Sequence, residues 1–373
     1  MSLKPTQFSS LDFVKELDEK YFELLRLARI SGCADHNIID LPVATKLLNQ
    51  LPLFEKTHKR IIPLLYDKAH KLAIFNDLSP QCQKLLTTIT QQGIVTELAR
   101  KIQLQQIIAT LSADNIPLIL LKGAAFADVL YNPQAPRTSN DLDILIHKKH
   151  WHKAVSAIKT VMNYTAKPQP DVFGDLFELS FVPKNKVGAA LDLHASLTHP
   201  LLFNICEEQL WENSVEHPSF TNELVRTLSA EHALIHQAIH AYKDMDFCKY
   251  NLVDSHEIIN AQSPDIKKTI AIAKEWGASV PLFTLLKNCA EIMSSNVNSD
   301  LLKQAKPKVI IYKMISKLLK SRFTQPLAKS KPLRYRVNQI LAQFIFTGSF
   351  IRPLLLQSLF VKSLMFPNKK NAV

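Results

Sequence analysis

Glycine is scarce in this sequence, with only seven among 373 residues. Neither the GxGxxG fingerprint of dinucleotide-binding folds nor the GxxxxGK(S/T) phosphate loop can be drawn from the glycine positions. These absences argue against a Rossmann dinucleotide site and against a Walker-type P-loop. Any phosphate-binding site in this chain must therefore be built in another way.

Paired cysteines and long apolar runs are also missing. The five cysteines are far apart, odd in number and form no CxxC pair, which indicates reduced thiols rather than a zinc site or a disulfide framework. The first residues, MSLKPTQFSSLDF, contain no apolar signal region. No apolar run reaches the roughly 20 residues that a membrane-spanning helix needs. We therefore expect a cytoplasmic protein, with a peripheral position at the inner membrane surface as a second option.

Acidic residues are absent from the last fifth of the chain. Residues 301–373, called here the basic C-terminal segment, contain 15 Lys or Arg and no Asp or Glu. The segment also contains uncharged apolar stretches and is expected to be helical. Three interpretations are open: a helical cap packed on the rest of the protein, basic amphipathic helices on a membrane surface, or a surface that binds an acidic partner or nucleic acid. No element that reads DNA sequence is expected.

The apolar residues that remain are enough for a sizeable core, because 47% of the chain is hydrophobic. Spacing near 3.6 predicts an N-terminal helical region over 1–94 and a second helical domain over 201–300. Between them, in 95–200, short apolar runs alternate with helical patterns and predict a small mixed sheet. The expected class is α+β, a small mixed-sheet core flanked by helical regions.

Acidic residues at the ends of two predicted strands are the main functional signal. Asp141 and Asp143 open the apolar run DLDILIH, and residues i and i+2 of a strand point to one face. Asp192 and His194 share a face of the later run ALDLH in the same way. If the two strands are neighbours, three carboxylates converge and repel each other unless a divalent cation neutralises them. Oxygen ligands of this kind suit Mg²⁺ or Mn²⁺.

An ordered set of motifs surrounds these aspartates. It consists of a strand ending in Leu121-Lys122-Gly123, a short helix ending in Leu130-Tyr131, a loop and strand from Arg137 to Ile144, and a late strand with Leu191-Asp192-Leu193-His194. In this set, residues 95–200 resemble the polymerase-β-type nucleotidyltransferase superfamily and, more narrowly, a bacterial family of uncharacterised nucleotidyltransferase-like proteins. The resemblance implies an NTP-dependent enzyme with the corresponding α/β core.

The resemblance also implies roles for particular residues. Asp141 and Asp143 would bind two Mg²⁺ ions, and Asp192 would hold one ion and help to deprotonate the attacking hydroxyl. The residues expected to contact phosphates or substrate are Lys122, Gly123, Arg137, Ser139 and His194. The implied reaction is Mg²⁺-dependent transfer of a nucleoside monophosphate from an NTP to a hydroxyl or phosphate acceptor of unknown identity.

One departure from the superfamily pattern keeps other functions open. Ala124 and Ala125 follow Gly123, where the broader superfamily has a serine whose hydroxyl contacts phosphate. A non-catalytic nucleotide-binding or antitoxin-like protein of the same fold is therefore one alternative. A membrane-surface assembly protein for envelope polysaccharide synthesis, acting through its basic C-terminal segment, is another.

Three histidines spaced four residues apart, His232, His236 and His240, fall on one helix face. Such spacing can chelate zinc, but no HExxH motif is present, so packing or substrate contact is the favoured interpretation. Arg137 likewise has a structural alternative, an ion pair with Asp141 or Asp128.

Overall fold

The computed structural model describes most of the chain: residues 10–31, 40–53, 59–131, 133–139, 141–167, 178–184, 188–243, 250–308, 340–341, 343–347, 349 and 351–365. Seven strands form a single mixed sheet, which lies between helical regions and confirms the predicted α+β class. The strands are β1 Leu118–Leu121, β2 Asp141–Ile146, β3 Tyr164–Ala166, β4 Glu178–Pro183, β5 Ala190–His194, β6 Val215–Glu216 and β7 Val225–Thr227.

The strand order, β3-β4-β5-β2-β1-β7-β6, puts β2 in the middle of the sheet. β2 pairs parallel with β5 and antiparallel with β1, and β1 pairs parallel with β7. The central strands are apolar because both faces are covered: all four side chains of β1 are buried. This arrangement brings the ends of β1, β2 and β5 together.

Thirteen helices are described. They are α1 Ser10–Leu27, α2 Leu41–Leu48, α3 Ile62–Lys71, α4 Pro80–Ala113, α5 Lys122–Phe126, α6 Trp151–Thr160, α7 Glu207–Glu212, α8 Ala230–Lys243, α9 Tyr250–Glu257, α10 Ile266–Glu275, α11 Ser279–Met293, α12 Ser299–Gln304 and α13 Ile351–Met365. Short 3₁₀ turns lie at Leu51–Leu53, Phe75–Asp77 and Lys148–His150, and a π turn at Ile258–Gln262.

The long helix α4 joins the N-terminal helices to the sheet. It begins at Pro80 and ends at Ala113, so it crosses the predicted boundary at residue 94 between the helical region and the mixed-sheet core. The Ser79 hydroxyl caps it by accepting a hydrogen bond from the Cys82 amide at 3.4 Å. Its buried face includes Leu104, Ile107 and Leu111. The helix therefore packs against α3 of the N-terminal region and against α6, which follows β2.

The helices after the sheet form a layer in which α8 is the central element. Ten of its fourteen residues are buried, and it packs against α10 and α11. His232 stacks on Trp276 with ring centroids 5.2 Å apart and an interplanar angle of 4°. For this histidine the structure shows packing, the interpretation that the sequence favoured.

Three strands, β3, β6 and β7, differ from the sequence expectation. Each has two or three residues, too few to display an alternating pattern, so their pairing is decided by tertiary contacts. β6 and β7 lie in a stretch where the pattern predicted only helices. β7 matters most, because it covers the open edge of β1.

Part of the basic C-terminal segment packs on this layer. Phe346 is fully buried and lies against Tyr242 of α8, with ring centroids 5.4 Å apart. No helix in the described ranges is long and apolar enough to cross a membrane. The packed part agrees with the helical-cap interpretation, and α13 continues from it.

Candidate active site

The pairing of β2 with β5 brings the predicted aspartates to one place. Asp143 lies directly opposite Asp192 in the parallel register, and Asp141 lies two residues earlier on the same face of β2. Neighbouring strands are about 4.8 Å apart, so the carboxylates share a small area of the sheet face. Leu142 and Ile144, on the alternate face of β2, are buried in the core.

Asp143 already has two partners. Its Oδ1 lies 2.6 Å from the Lys122 ammonium and 3.0 Å from Nε2 of His194. The carboxylate is buried, which alone would raise its pKa, but the Lys122 charge and the His194 hydrogen bond hold that pKa well below its usual range. Asp143 is therefore a carboxylate anion that a neighbouring lysine neutralises.

The backbone at Lys122 explains how the lysine reaches that position. Its φ is 48°, in the left-handed region that non-glycine residues rarely occupy. The chain turns there from β1 directly into α5, and the side chain reaches Asp143 of the neighbouring strand β2. Although burial opposes it, the Asp143 charge raises the pKa of the Lys122 ammonium. The strained turn and the ion pair thus occur together at one residue.

β4 adds two residues that the sequence analysis did not select, Glu178 and Ser180. Ser180 faces Asp192 across the strand pair and its hydroxyl donates to Oδ1 at 2.6 Å. Glu178 faces His194, whose Nδ1 is 3.8 Å from Oε2. The signal was present, because both polar residues fall on one face of ELSFVP, opposite Leu179 and Phe181.

The crowding of negative charge acts most strongly on Asp192. Burial raises the pKa of its carboxyl group, and the charges of Asp143 and Glu178 raise it further, against the hydrogen bond from Ser180. A carboxylate with a raised pKa is a better proton acceptor near neutral pH. Asp143 and Asp192 face each other, yet their surroundings lower the pKa of Asp143 and raise the pKa of Asp192.

Ser139 connects the site to the long helix α4. Its hydroxyl donates to Oδ1 of Asp141 at 3.1 Å. Its amide donates to Glu97 at 3.2 Å, and its carbonyl accepts a hydrogen bond from Arg100. The loop before β2 is therefore held on both sides, and Ser139 lies close enough to Asp141 to influence any ligand bound there.

Arg137 lies behind the site. Its Nε and Nη2 donate to both carboxylate oxygens of Asp254 in α9, with the shortest contact at 2.6 Å, and the guanidinium lies 5.1 Å from the centroid of the Tyr250 ring. The Tyr131 hydroxyl donates to the same carboxylate at 2.6 Å. Arg137 pairs neither with Asp141 nor with Asp128, and its phosphate contact stays a prediction that would require it to share or leave Asp254.

Gly123 is required by this packing. A Cβ at this position would collide with the Arg137 guanidinium and lie 2.9 Å from the Cβ of Ser139. The absence of a side chain therefore lets the loop before β2 approach the start of α5. The approach of a triphosphate to Gly123 stays a prediction.

Two of the three histidines of α8 face the charged cluster. Burial, together with the nearby Lys122 charge, lowers the pKa of His236 to about 3. The pKa of His240 is lowered for the same reasons, burial first and then the Lys122 charge. Both rings are therefore neutral at pH 7. They line the site from the helical layer and can accept or donate hydrogen bonds without adding charge.

The donor set suits a divalent cation, but the side chains are not arranged as a metal cluster. In the part of the chain that is described, no group of three or more His, Cys, Asp or Glu side chains could hold an ion as placed. The Lys122 ammonium lies at Oδ1 of Asp143, where a cation would bind. Three carboxylates on one face, one with a raised pKa, nevertheless fit Mg²⁺ or Mn²⁺ once the lysine moves away.

Comparison with known proteins identifies a family to which most of the chain is similar. The sequence model of a family described as an uncharacterised nucleotidyltransferase matches residues 56–294, which include the whole sheet, α4 and the helical layer through α11. No curated protein matches the chain. The match confirms the resemblance that the sequence motifs indicated, and it supports nucleotidyl transfer as the general activity and an enzyme as the class of protein.

Proposed function

This chain belongs to that family of uncharacterised nucleotidyltransferases, and we propose that it transfers a nucleoside monophosphate from an NTP to a hydroxyl or phosphate acceptor in an Mg²⁺-dependent reaction. The acceptor oxygen would bond to the α-phosphorus, and the bond to the β-phosphate would break to release pyrophosphate. The observation that carries the proposal is the register of β2 and β5, which sets Asp143 opposite Asp192 with Asp141 on the same face. We also propose a cytoplasmic location, consistent with the free thiols of Cys82, Cys206 and Cys289.

The three aspartates would hold the metal. Asp141, Asp143 and Asp192 are the residues that would coordinate Mg²⁺ or Mn²⁺, which would supply positive charge to the attacking and leaving oxygens at phosphorus. The proposed role of Asp192 is also to accept the proton of the attacking hydroxyl, and its raised pKa supports this role. The Ser180 hydroxyl would fix the orientation of that carboxylate.

The cationic and polar residues would bind the rest of the substrate. Lys122 is only partly exposed and ends beside the aspartates, so it would leave Asp143 and contact the phosphates when the metal neutralises the carboxylate. His194 would keep its hydrogen bond to Asp143 and orient it. Ser139, next to Asp141, and Gly123, at the start of α5, would lie beside the phosphate chain. Arg137 would act there only if it separates from Asp254.

The test is transfer of label from NTPs carrying a labelled α-phosphate, with a cell extract as the source of acceptors. Wild type should transfer label from at least one NTP with Mg²⁺ and lose the activity with chelator. Asp143→Asn should lower the rate at least a hundredfold, because the substitution removes a charge at the reacting centre. Asp300→Asn, an exposed change remote from the sheet, is the matched control. Equal transfer by wild type and Asp143→Asn would refute the proposed role.

A second function is favoured by one specific observation. Lys122 and His194 already satisfy Asp143, as they would in a non-catalytic nucleotide-binding or antitoxin-like protein that needs no metal. Such a protein would bind NTP equally with Mg²⁺ and with chelator, and it would release no pyrophosphate. Equilibrium dialysis with a labelled NTP under both conditions distinguishes the two functions.

A further inference from the structure

The C-terminal helix α13 is apolar on two opposite sides. Pro353 and Leu356 are buried. A second set, spaced as one helical face, is exposed by 39–69%: Ile351, Leu354, Leu355, Leu359 and Val361. A helix that is apolar all round is normally covered on all sides. In the described part of this chain nothing covers this second set of side chains, which together form what we call the outer face of α13.

The outer face has a fixed position on the protein. Gln357 of α13 donates through Nε2 to Oε1 of Gln343 at 2.8 Å, and the amide of Arg352 donates to the Ser349 hydroxyl at 3.3 Å. The neighbouring Phe346 is buried against α8. The inner side of α13 is therefore attached to the helical layer, and the five apolar side chains of the outer face are turned away from it.

Charge identifies the partner that fits this face. The basic C-terminal segment has 15 Lys or Arg and no acidic residue, and α13 itself contains Arg352 and Lys362. A second copy of the same face would bring like charges together. Nucleic acid would attract the charge but would not bury five apolar side chains. An anionic lipid surface offers both negative headgroups and an apolar interior.

We propose that the outer face of α13 binds an anionic membrane surface and lies in the headgroup region parallel to it. α13 has 15 residues, about 22 Å at 1.5 Å per residue, and no described helix is long and apolar enough to span. The helix would therefore lie on the bilayer with its outer face buried and its inner face on the protein. The proposal is independent of the transfer reaction.

The test is flotation of the full chain with vesicles of phosphatidylcholine alone and of phosphatidylcholine with phosphatidylglycerol. Wild type should float with the anionic vesicles and only poorly with the neutral ones. Its flotation with the anionic vesicles should decrease at high salt, because salt screens the attraction between charges. The triple variant Leu354→Gln, Leu355→Gln, Leu359→Gln should bind the anionic vesicles at least tenfold more weakly, since three apolar side chains are lost from the buried face.

A matched control is available on α4, where Val95, Leu98 and Ile102 form another exposed apolar stripe. Val95→Gln, Leu98→Gln, Ile102→Gln should float like wild type, and both triple variants should keep the thermal melting of wild type because the changes are exposed. The proposal is overturned if wild type does not float, or if the two triple variants float alike. It is also overturned if the face instead mediates dimers, seen as a dimer of wild type and a monomer of the α13 variant in solution.

Discussion

Replacing Asp254 by alanine would leave the Arg137 guanidinium buried without an opposite charge. The two side chains are 1% and 8% exposed, and the carboxylate also accepts the Tyr131 hydroxyl. Removal of one partner of a buried ion pair typically costs about 3–5 kcal/mol. The Asp254→Ala variant should therefore lose stability of that order, and the lost Tyr131 hydrogen bond would add to it.

Urea unfolding measures the effect, with matched changes as controls. Asp300 forms an exposed ion pair with Lys303. Its replacement by alanine should lower the free energy of unfolding by less than about 1 kcal/mol. Tyr131→Phe should cost about 1 kcal/mol, because one hydrogen bond is removed and the charge pair stays. If Asp254→Ala and Asp300→Ala unfold at the same urea concentration, the ion pair does not stabilise the fold as argued.

A double variant separates stability from substrate binding. Arg137→Met with Asp254→Leu removes both charges and keeps apolar volume, and such replacements are often neutral or stabilising. Most of the lost stability should return. If the double variant is stable and still binds NTP like wild type, Arg137 has a structural role only. Weakened NTP binding in a stable double variant would support the phosphate contact that the sequence predicted.

Two further predictions concern pH and the Gly123 turn. His236 has a folded pKa of about 3 against an ordinary value of 6.5, so the unfolded chain takes up a proton that the folded one does not, and stability is lost as pH falls below about 6.5. From pH 7 to pH 5 the free energy of unfolding should fall by about 2 kcal/mol through this histidine. In the His236→Gln variant the urea midpoint should therefore depend less on pH over this range. If the pH dependence is the same as in wild type, the lowered pKa of His236 is contradicted. Gly123→Ala should lower the melting temperature and the transfer rate together, because the added Cβ collides with Arg137. A variant with the stability and activity of wild type would show instead that the loop before β2 is free to move.

Period-2 patterning predicted the central part of the fold. Asp141 and Asp143 were expected on one face and Asp192 on a neighbouring strand, and the structure pairs these strands in parallel. The alternation is readable because the other face, with Leu142 and Ile144, is buried. The same rule would have found Glu178 and Ser180, which share a face of β4. Strands of this length therefore carry enough pattern to show which residues face the site.

Partners that come from distant parts of the chain could not be predicted in this way. Asp254 is 117 residues away from Arg137, and no local pattern selects it over other carboxylates. The position of Lys122 depends on a left-handed backbone turn that sequence does not favour for lysine. The short strand β7 pairs with β1 only because its neighbours fix it there. These features are decided by packing between elements rather than within them.

The Lys122–Asp143 pair explains how several acidic residues can share one strand face although the described residues form no preformed metal cluster. Carboxylates this close need positive charge, and the partly exposed lysine supplies it to the buried Asp143 carboxylate. A divalent cation arriving with an NTP would bring its own charge and phosphates that attract the displaced ammonium. In the proposed reaction, the lysine would neutralise Asp143 before the NTP binds and the phosphates afterwards. On this argument metal and nucleotide should bind together, because neither alone provides both a replacement for the lysine and a new partner for it.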